Sequence, residues 1–183
     1  MADNKNVTFE AIMRDLRAGK YAPVYYLMGD EPFYIDKITD FIIDNALKPE
    51  ERDFNLTVMF GSDTTAAQVA DAARSYPMMA ERQVVVVKEA QNLKNTDQLA
   101  VYLENPSDTT VLVLCHKNGT IDRRKKIASE TAKRGVLFES KKMRERDLPP
   151  FIQAYVRERG ATIDPKSEQI IADSIGADLN RLT

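Results

Sequence analysis

Four consecutive valines, Val84 to Val87, constrain this chain more than any other feature. β-branched side chains lose rotamer freedom in a helix and pack well on a pleated surface, so the run predicts a strand over Gln83 to Val87. Successive strand side chains point to opposite faces, and an unbroken apolar run therefore needs cover on both sides. Other short runs behave alike: Val24 to Met28, Asn55 to Phe60, Val111 to Cys115 and Val136 to Phe138 each read as a strand. The segments between them carry helical spacing instead. Phe9, Ile12, Met13 and Leu16 form an opening helix stopped by Gly19, while Ile35, Ile38, Ile42 and Ala46 line a second, with Asp30 as its expected cap and Pro32 in its first turn. Further helices are predicted over Thr64 to Arg74, with Ala66, Val69, Ala70 and Ala73 inward, over Thr96 to Leu103, and from about Ile121 to Lys133. This order predicts an α/β fold over residues 1–140, a doubly wound parallel sheet of five strands with helices on both faces.

The pattern changes from about Lys141. Charged residues and Pro149-Pro150 lead into helical stretches near Leu148 to Arg159, Pro165 to Ile175 and from Ala177 onward, with Gly160 and Gly176 as terminators, so residues 141–183 read as a small helical unit. The sequence stops inside an apolar-periodic segment, as a piece of a longer protein or a terminal helix would. At 183 residues, 43% hydrophobic, 30% charged and net charge −2, the composition fits a globular chain and argues against a polyanion binder built on bulk charge. No apolar run approaches the ~20 residues that span a bilayer. With one cysteine, Cys115, and no basic-then-apolar leader, the expected setting is a reducing cytoplasm without membrane partners.

Gly29 to Asp36 stand where a nucleotide-binding protein of this layout carries its phosphate loop. Such a loop reads G-x-x-x-x-G-K-[ST], and here Tyr34 replaces the second glycine, Ile35 the lysine and Asp36 the hydroxyl residue. Asp30, Glu31 and Asp36 would oppose a polyphosphate. At the end of the valine strand, where a P-loop ATPase holds Mg²⁺ with an Asp, this chain has Lys88 and then Glu89. Two sites required for ATP chemistry fail together, so no catalytic residue, cofactor or metal is expected. Lys37 is the one cation near the loop.

The loop before the valine strand holds Tyr76, Pro77, Met78 and Met79. Pro77 ends the preceding helix and pushes Tyr76 toward an extended conformation. Neighbouring apolar residues there either anchor a partner or cap the domain's own core. Arg123, Arg124, Lys125 and Lys126 form a basic run at the start of a predicted helix, where positive charge opposes the macrodipole; contact with an acidic partner or DNA phosphates, or a solvated face, accounts for it. Lys141, Lys142, Arg144 and Arg146 form a second cluster of the same kind. Cys115 and His116, adjacent in a strand, point to opposite faces and cannot chelate one metal. Ser75 lacks the glycine-flanked elbow of a nucleophile.

Several segments, taken in order, resemble one family. Gly29-Asp30-Glu31-Pro32-Phe33 after an apolar strand, Ser75-Tyr76-Pro77-Met78-Met79-Ala80-Glu81-Arg82-Gln83 before the valines, and Val111 to Leu114 followed by Lys117 are similar to the delta subunit of bacterial DNA polymerase III. Gly160 to Ile163 and Gly176 to Leu179 resemble that family's second domain. The resemblance implies an AAA+-like module that has given up ATP, followed by a helical lid, with the family's collar domain absent. It implies a non-enzymatic subunit of the DNA polymerase III holoenzyme, a DNA-directed DNA polymerase, that binds and opens the beta sliding clamp beside delta prime and gamma/tau subunits, with primed DNA in the assembly. The apolar pair that wedges into the clamp falls on Met78 and Met79, flanked by Tyr76 and Pro77. A degenerate P-loop scaffold for another partner, or a nucleotide-dependent enzyme with an unconventional loop, is the alternative.

Overall fold

The computed structural model describes residues 7–175 and Leu179. The chain divides into two units, 1–140 and 141–183. The first is built on a five-stranded sheet in the order β2-β3-β4-β1-β5, with β1 Val24–Gly29, β2 Leu56–Phe60, β3 Gln83–Lys88, β4 Thr110–Lys117 and β5 Val136–Ser140. Every pairing is parallel. The chain passes from β1 to the far edge at β2, returns through β3 and β4, then crosses over β1 to β5. The direction of winding therefore reverses between β4 and β1, the place where open α/β sheets usually bind ligands at their carboxyl ends.

The valine run divides as its geometry demands. Val85 and Val87 join Leu112 and Leu114 in a core covered by α4 (Ala66–Arg74), α5 (Thr96–Leu103) and α6 (Lys126–Arg134). Val84 and Val86 join Val113 and Leu27 on the other face, under α1 (Phe9–Arg17) and α2 (Pro32–Asn45). All four valines are fully buried. Thr65 starts α4 by accepting from Gln68 N–H while the Gln68 side chain accepts from Thr65 N–H, a reciprocal cap that satisfies two otherwise unpaired donors.

Four local expectations change. Asn55 is not the first residue of a strand but the last of a short helix, α3 (Arg52–Asn55), and β2 begins at Leu56. As an edge strand β2 is only partly covered, with Val58 and Phe60 exposed, so it is not apolar on both faces. The α2 cap is Glu31 rather than Asp30: the Asp30 N–H is drawn to Ser140 O (3.2 Å), and Glu31 accepts from Phe33 N–H (3.3 Å). Finally, α6 starts at Lys126, not Ile121. Asp122 Oδ1 accepts from Arg124 N–H (2.9 Å), and this local turn holds the chain out of the helix until Lys125.

The second unit contains α7 (Leu148–Glu158) and α8 (Pro165–Ile175). Gln153 Nε2 donates to the buried Glu168 (2.6 Å), and Asp164 caps α8 by accepting from Lys166 and Ser167 N–H. The helix expected from Ala177 onward lies outside the described residues except at Leu179, which is buried.

Candidate functional site

At the carboxyl edge of the sheet, only Asp30 and Glu31 separate β1 from α2. Neighbouring backbone packs closely on Gly29. Gly29 N–H donates to Gly119 O (2.8 Å) and Gly29 O accepts from Asn118 N–H (3.0 Å). Gly29 has φ +129°, and a Cβ there would lie 2.0 Å from Ser140 O. The Glu31 carboxylate, itself buried, takes the first free N–H of α2, so an anion approaching the helix end meets a negative group. Ile35 is fully buried and Tyr34 packs on Phe9 (4.8 Å between ring centres). Asp36 forms an ion pair with Lys117 (2.6 Å). Lys37 leans over the Phe33 ring (5.5 Å). Lys117, the register partner of Gly29, is thus engaged by Asp36, and Lys37 by an aromatic ring.

Lys88 closes β3 exposed, and Glu89 follows at φ +54°, its carboxylate accepting from Asn92 Nδ2 (3.2 Å). Burial, then the charge of Asp36, raises the Asp40 carboxyl above its usual range, while Lys88 and Lys37 oppose that rise. Among the described residues no three His, Cys, Asp or Glu side chains are grouped to hold a metal. Cys115 and His116 point apart as expected: Cys115 Sγ lies 3.3 Å from Thr39 Oγ1 and burial pushes the thiol up to about 11, whereas His116 Nδ1 is 3.0 Å from the Tyr26 hydroxyl and burial lowers its pKa.

The amino edge is different. Between α4 and β3 the loop carries Tyr76 at 86% exposure, Met78 at 60% and Met79 at 101%, with Pro77 half-buried. Met79 adopts φ +52°, a costly conformation for a long side chain and one that persists only when its surroundings hold it. The buried Asn55 supplies that hold. Its Oδ1 accepts from Met78 N–H (2.7 Å), and its Nδ2 donates to Met78 O (3.0 Å) and to Glu51 O (2.9 Å). On the other side, Gln83 Nε2 donates to Ala72 O (3.1 Å) and to Ser75 O, tying the end of α4 to β3. Arg82 lies 4.8 Å over the Tyr21 ring and fixes where the loop rejoins the sheet. Sequence reasoning missed Asn55 and Gln83; nothing in their immediate neighbours marks either.

Three of the four cations in the basic run, all but Lys125, stand in ion pairs. Arg123 pairs with Glu139 (2.6 Å), Arg124 with Asp122 (2.7 Å) and Lys126 with Glu104. The Lys126 ammonium holds the Glu104 carboxyl below its ordinary range, as Arg124 does for Asp122. Only Lys126 lies inside α6, with Lys125 as its cap, so the expected conflict with the macrodipole is confined to the helix start.

Residues 25–141 match the family model of DNA polymerase III, delta subunit, well over half of the chain. The chain belongs to that family. It is similar to DNA polymerase III subunit delta of Bacillus subtilis (strain 168), 26% identical over an alignment of 168 residues, with 86% of this chain and 48% of the relative covered. The chain thus spans about half the length of that relative. Its fold resembles the Bacillus subtilis DNA clamp loader delta protein (TM-score 0.74, 22% identity, 93% of this chain and 59% of that one). Domain III of the Thermotoga maritima replication initiation protein DnaA is also similar in fold (TM-score 0.51, 9% identity, 100% and 81%). So is RuvB from Thermotoga maritima (TM-score 0.51, 15% identity, 89% and 52%). These likenesses are of fold alone: the delta-family chain is an α/β module on an all-parallel five-stranded sheet.

Proposed function

We propose that this chain is the clamp-contacting part of a non-catalytic clamp-loader subunit, working in the bacterial cytoplasm with delta prime and gamma/tau subunits on primed DNA. Its target is the beta sliding clamp, and the contact is the Tyr76 to Met79 loop. One observation carries the reading: in a delta-family chain, Met79 and Met78 project into solvent from a loop whose backbone is pinned by the buried Asn55. Methionine is unbranched and adapts to the shape of a partner pocket. Burying two such side chains contributes about 3–6 kcal/mol of transfer free energy, enough for an interface hot spot. The pinned backbone lowers the ordering cost that a floppy loop would add.

Opening a ring requires the loop to bind the opened interface better than the closed one, since a partner shifts an equilibrium only by its differential affinity. ATP would act on other subunits. DNA contact through Arg123, Arg124 and Lys126 would compete with three ion pairs, so we assign these residues no part in holding DNA. The test is binding of the chain to its cognate clamp ring by surface plasmon resonance. Saturable binding supports the reading, and no binding at tens of micromolar defeats it.

A further inference from the structure

Among the described residues, exposed large apolar side chains gather at α3, β2 and the methionine loop, with Phe54 at 69% exposure. Phe54 is rigidly placed. Two positions before it, Arg52 Nη2 donates to Asp44 O (2.6 Å) and so ties α3 to the end of α2. Directly after it, Asn55 grips both backbone groups of Met78. The Phe54 Cα is therefore one peptide unit, about 3.8 Å, from the residue that holds the loop. A phenyl ring exposed to water on a backbone held at both neighbouring positions is presented for contact at a fixed place on the surface.

We propose that Phe54 is a second anchor for the partner that takes Met78 and Met79, with Asn55 the positioning residue that sets the spacing between them. This rests on the reading of the methionine loop as the clamp contact. Continuity favours the same occupant: Asn55 joins α3 directly to the Met78 backbone, so a partner seated on Met78 reaches the α3 surface next to it. Phe60 provides the contrast. It is also exposed, but its register partner is Lys88, at the opposite end of the sheet from the loop.

The experiment measures affinity for the cognate clamp ring with Phe54→Ala, Phe60→Ala, Asn55→Ala, Met79→Ala and Met78→Ala/Met79→Ala chains. Phe54→Ala is expected to weaken binding by roughly tenfold and Phe60→Ala to leave it within about twofold. Asn55→Ala is expected to weaken binding in the parent but hardly at all in a Met79→Ala background, because it acts through the loop. If the methionine pair abolishes binding while Phe54→Ala has no effect, the second anchor is wrong and the loop reading stands. Should the methionine pair have no effect, the loop reading itself fails and takes the anchor with it. Strictly additive effects of Asn55→Ala and Met79→Ala overturn the positioning role. A Phe54→Ala change confined to self-association in sedimentation assigns the ring to a second copy of the chain and overturns the proposal.

Discussion

A methyl group at position 29 has nowhere to go. In a Gly29→Ala chain the new Cβ would sit 2.0 Å from Ser140 O, 2.5 Å from Ser140 Oγ and 2.8 Å from Ser140 C, and two of those atoms are backbone. Ser140 is buried at the end of β5, so relief means moving the strand end away from β1. That movement breaks the Asp30 N–H bond to Ser140 O (3.2 Å) and the Ser140 Oγ bond to Met28 O (3.1 Å). Each net hydrogen bond is worth about 1 kcal/mol, and a non-glycine residue at φ +129° adds roughly 1–3 kcal/mol of strain. The expected loss is therefore about 3–5 kcal/mol. Urea unfolding followed by circular dichroism should show the midpoint falling by roughly 1.5–2.5 M at a slope near 2 kcal/mol per molar. A midpoint within about 0.3 M of the parent would refute the view of Gly29 as a structural joint.

The close packing on Gly29 predicts that calorimetry with ATP and Mg²⁺ gives no saturable heat; a low-micromolar isotherm would contradict it. Alkaline pH should destabilise the fold, because burial raises Cys115 from 9.0 to about 11 and Tyr26 and Tyr34 from 10.0 to about 12. A raised folded pKa gives stability that is complete below the unfolded value and lost as pH climbs through the folded one, so urea midpoints should fall between about pH 9 and 12. Midpoints unchanged up to pH 11 would count against this. The same burial predicts slow alkylation of Cys115 at pH 8, with thiolate about 100-fold scarcer than in a free thiol. Labelling at the unfolded rate would show the site to be open. Arg123→Ala with Arg124→Ala should leave the salt dependence of DNA binding by the assembled loader unchanged, whereas a slope lower by one to two would make these residues phosphate contacts.

The sheet is legible in the sequence because Val84 to Val87 cannot be stable unless covered on both faces, and the helical spacing beside it supplies the cover. The edge position of β2 is not legible: Val58 and Phe60 look like core residues until the strand order puts them at a margin. The late start of α6 depends on one side-chain contact, from Asp122 to Arg124 N–H, that apolar spacing does not register. Within the site, Pro77 and the adjacent methionines mark a loop that is hard to bury. Asn55 stays hidden, since it meets Met78 across 23 residues and a tertiary hydrogen bond leaves no local pattern.

The proposed clamp contact places function on the methionine loop rather than at the carboxyl edge of the sheet. Its most direct test is the affinity of the Met78→Ala/Met79→Ala chain for the cognate sliding clamp, with circular dichroism to show that the fold is kept. Both side chains are exposed, so the melting temperature should not change. Binding should weaken by at least about a hundredfold, the equivalent of roughly 3 kcal/mol lost at an interface hot spot. A folded variant that binds the clamp as tightly as the parent would contradict the account.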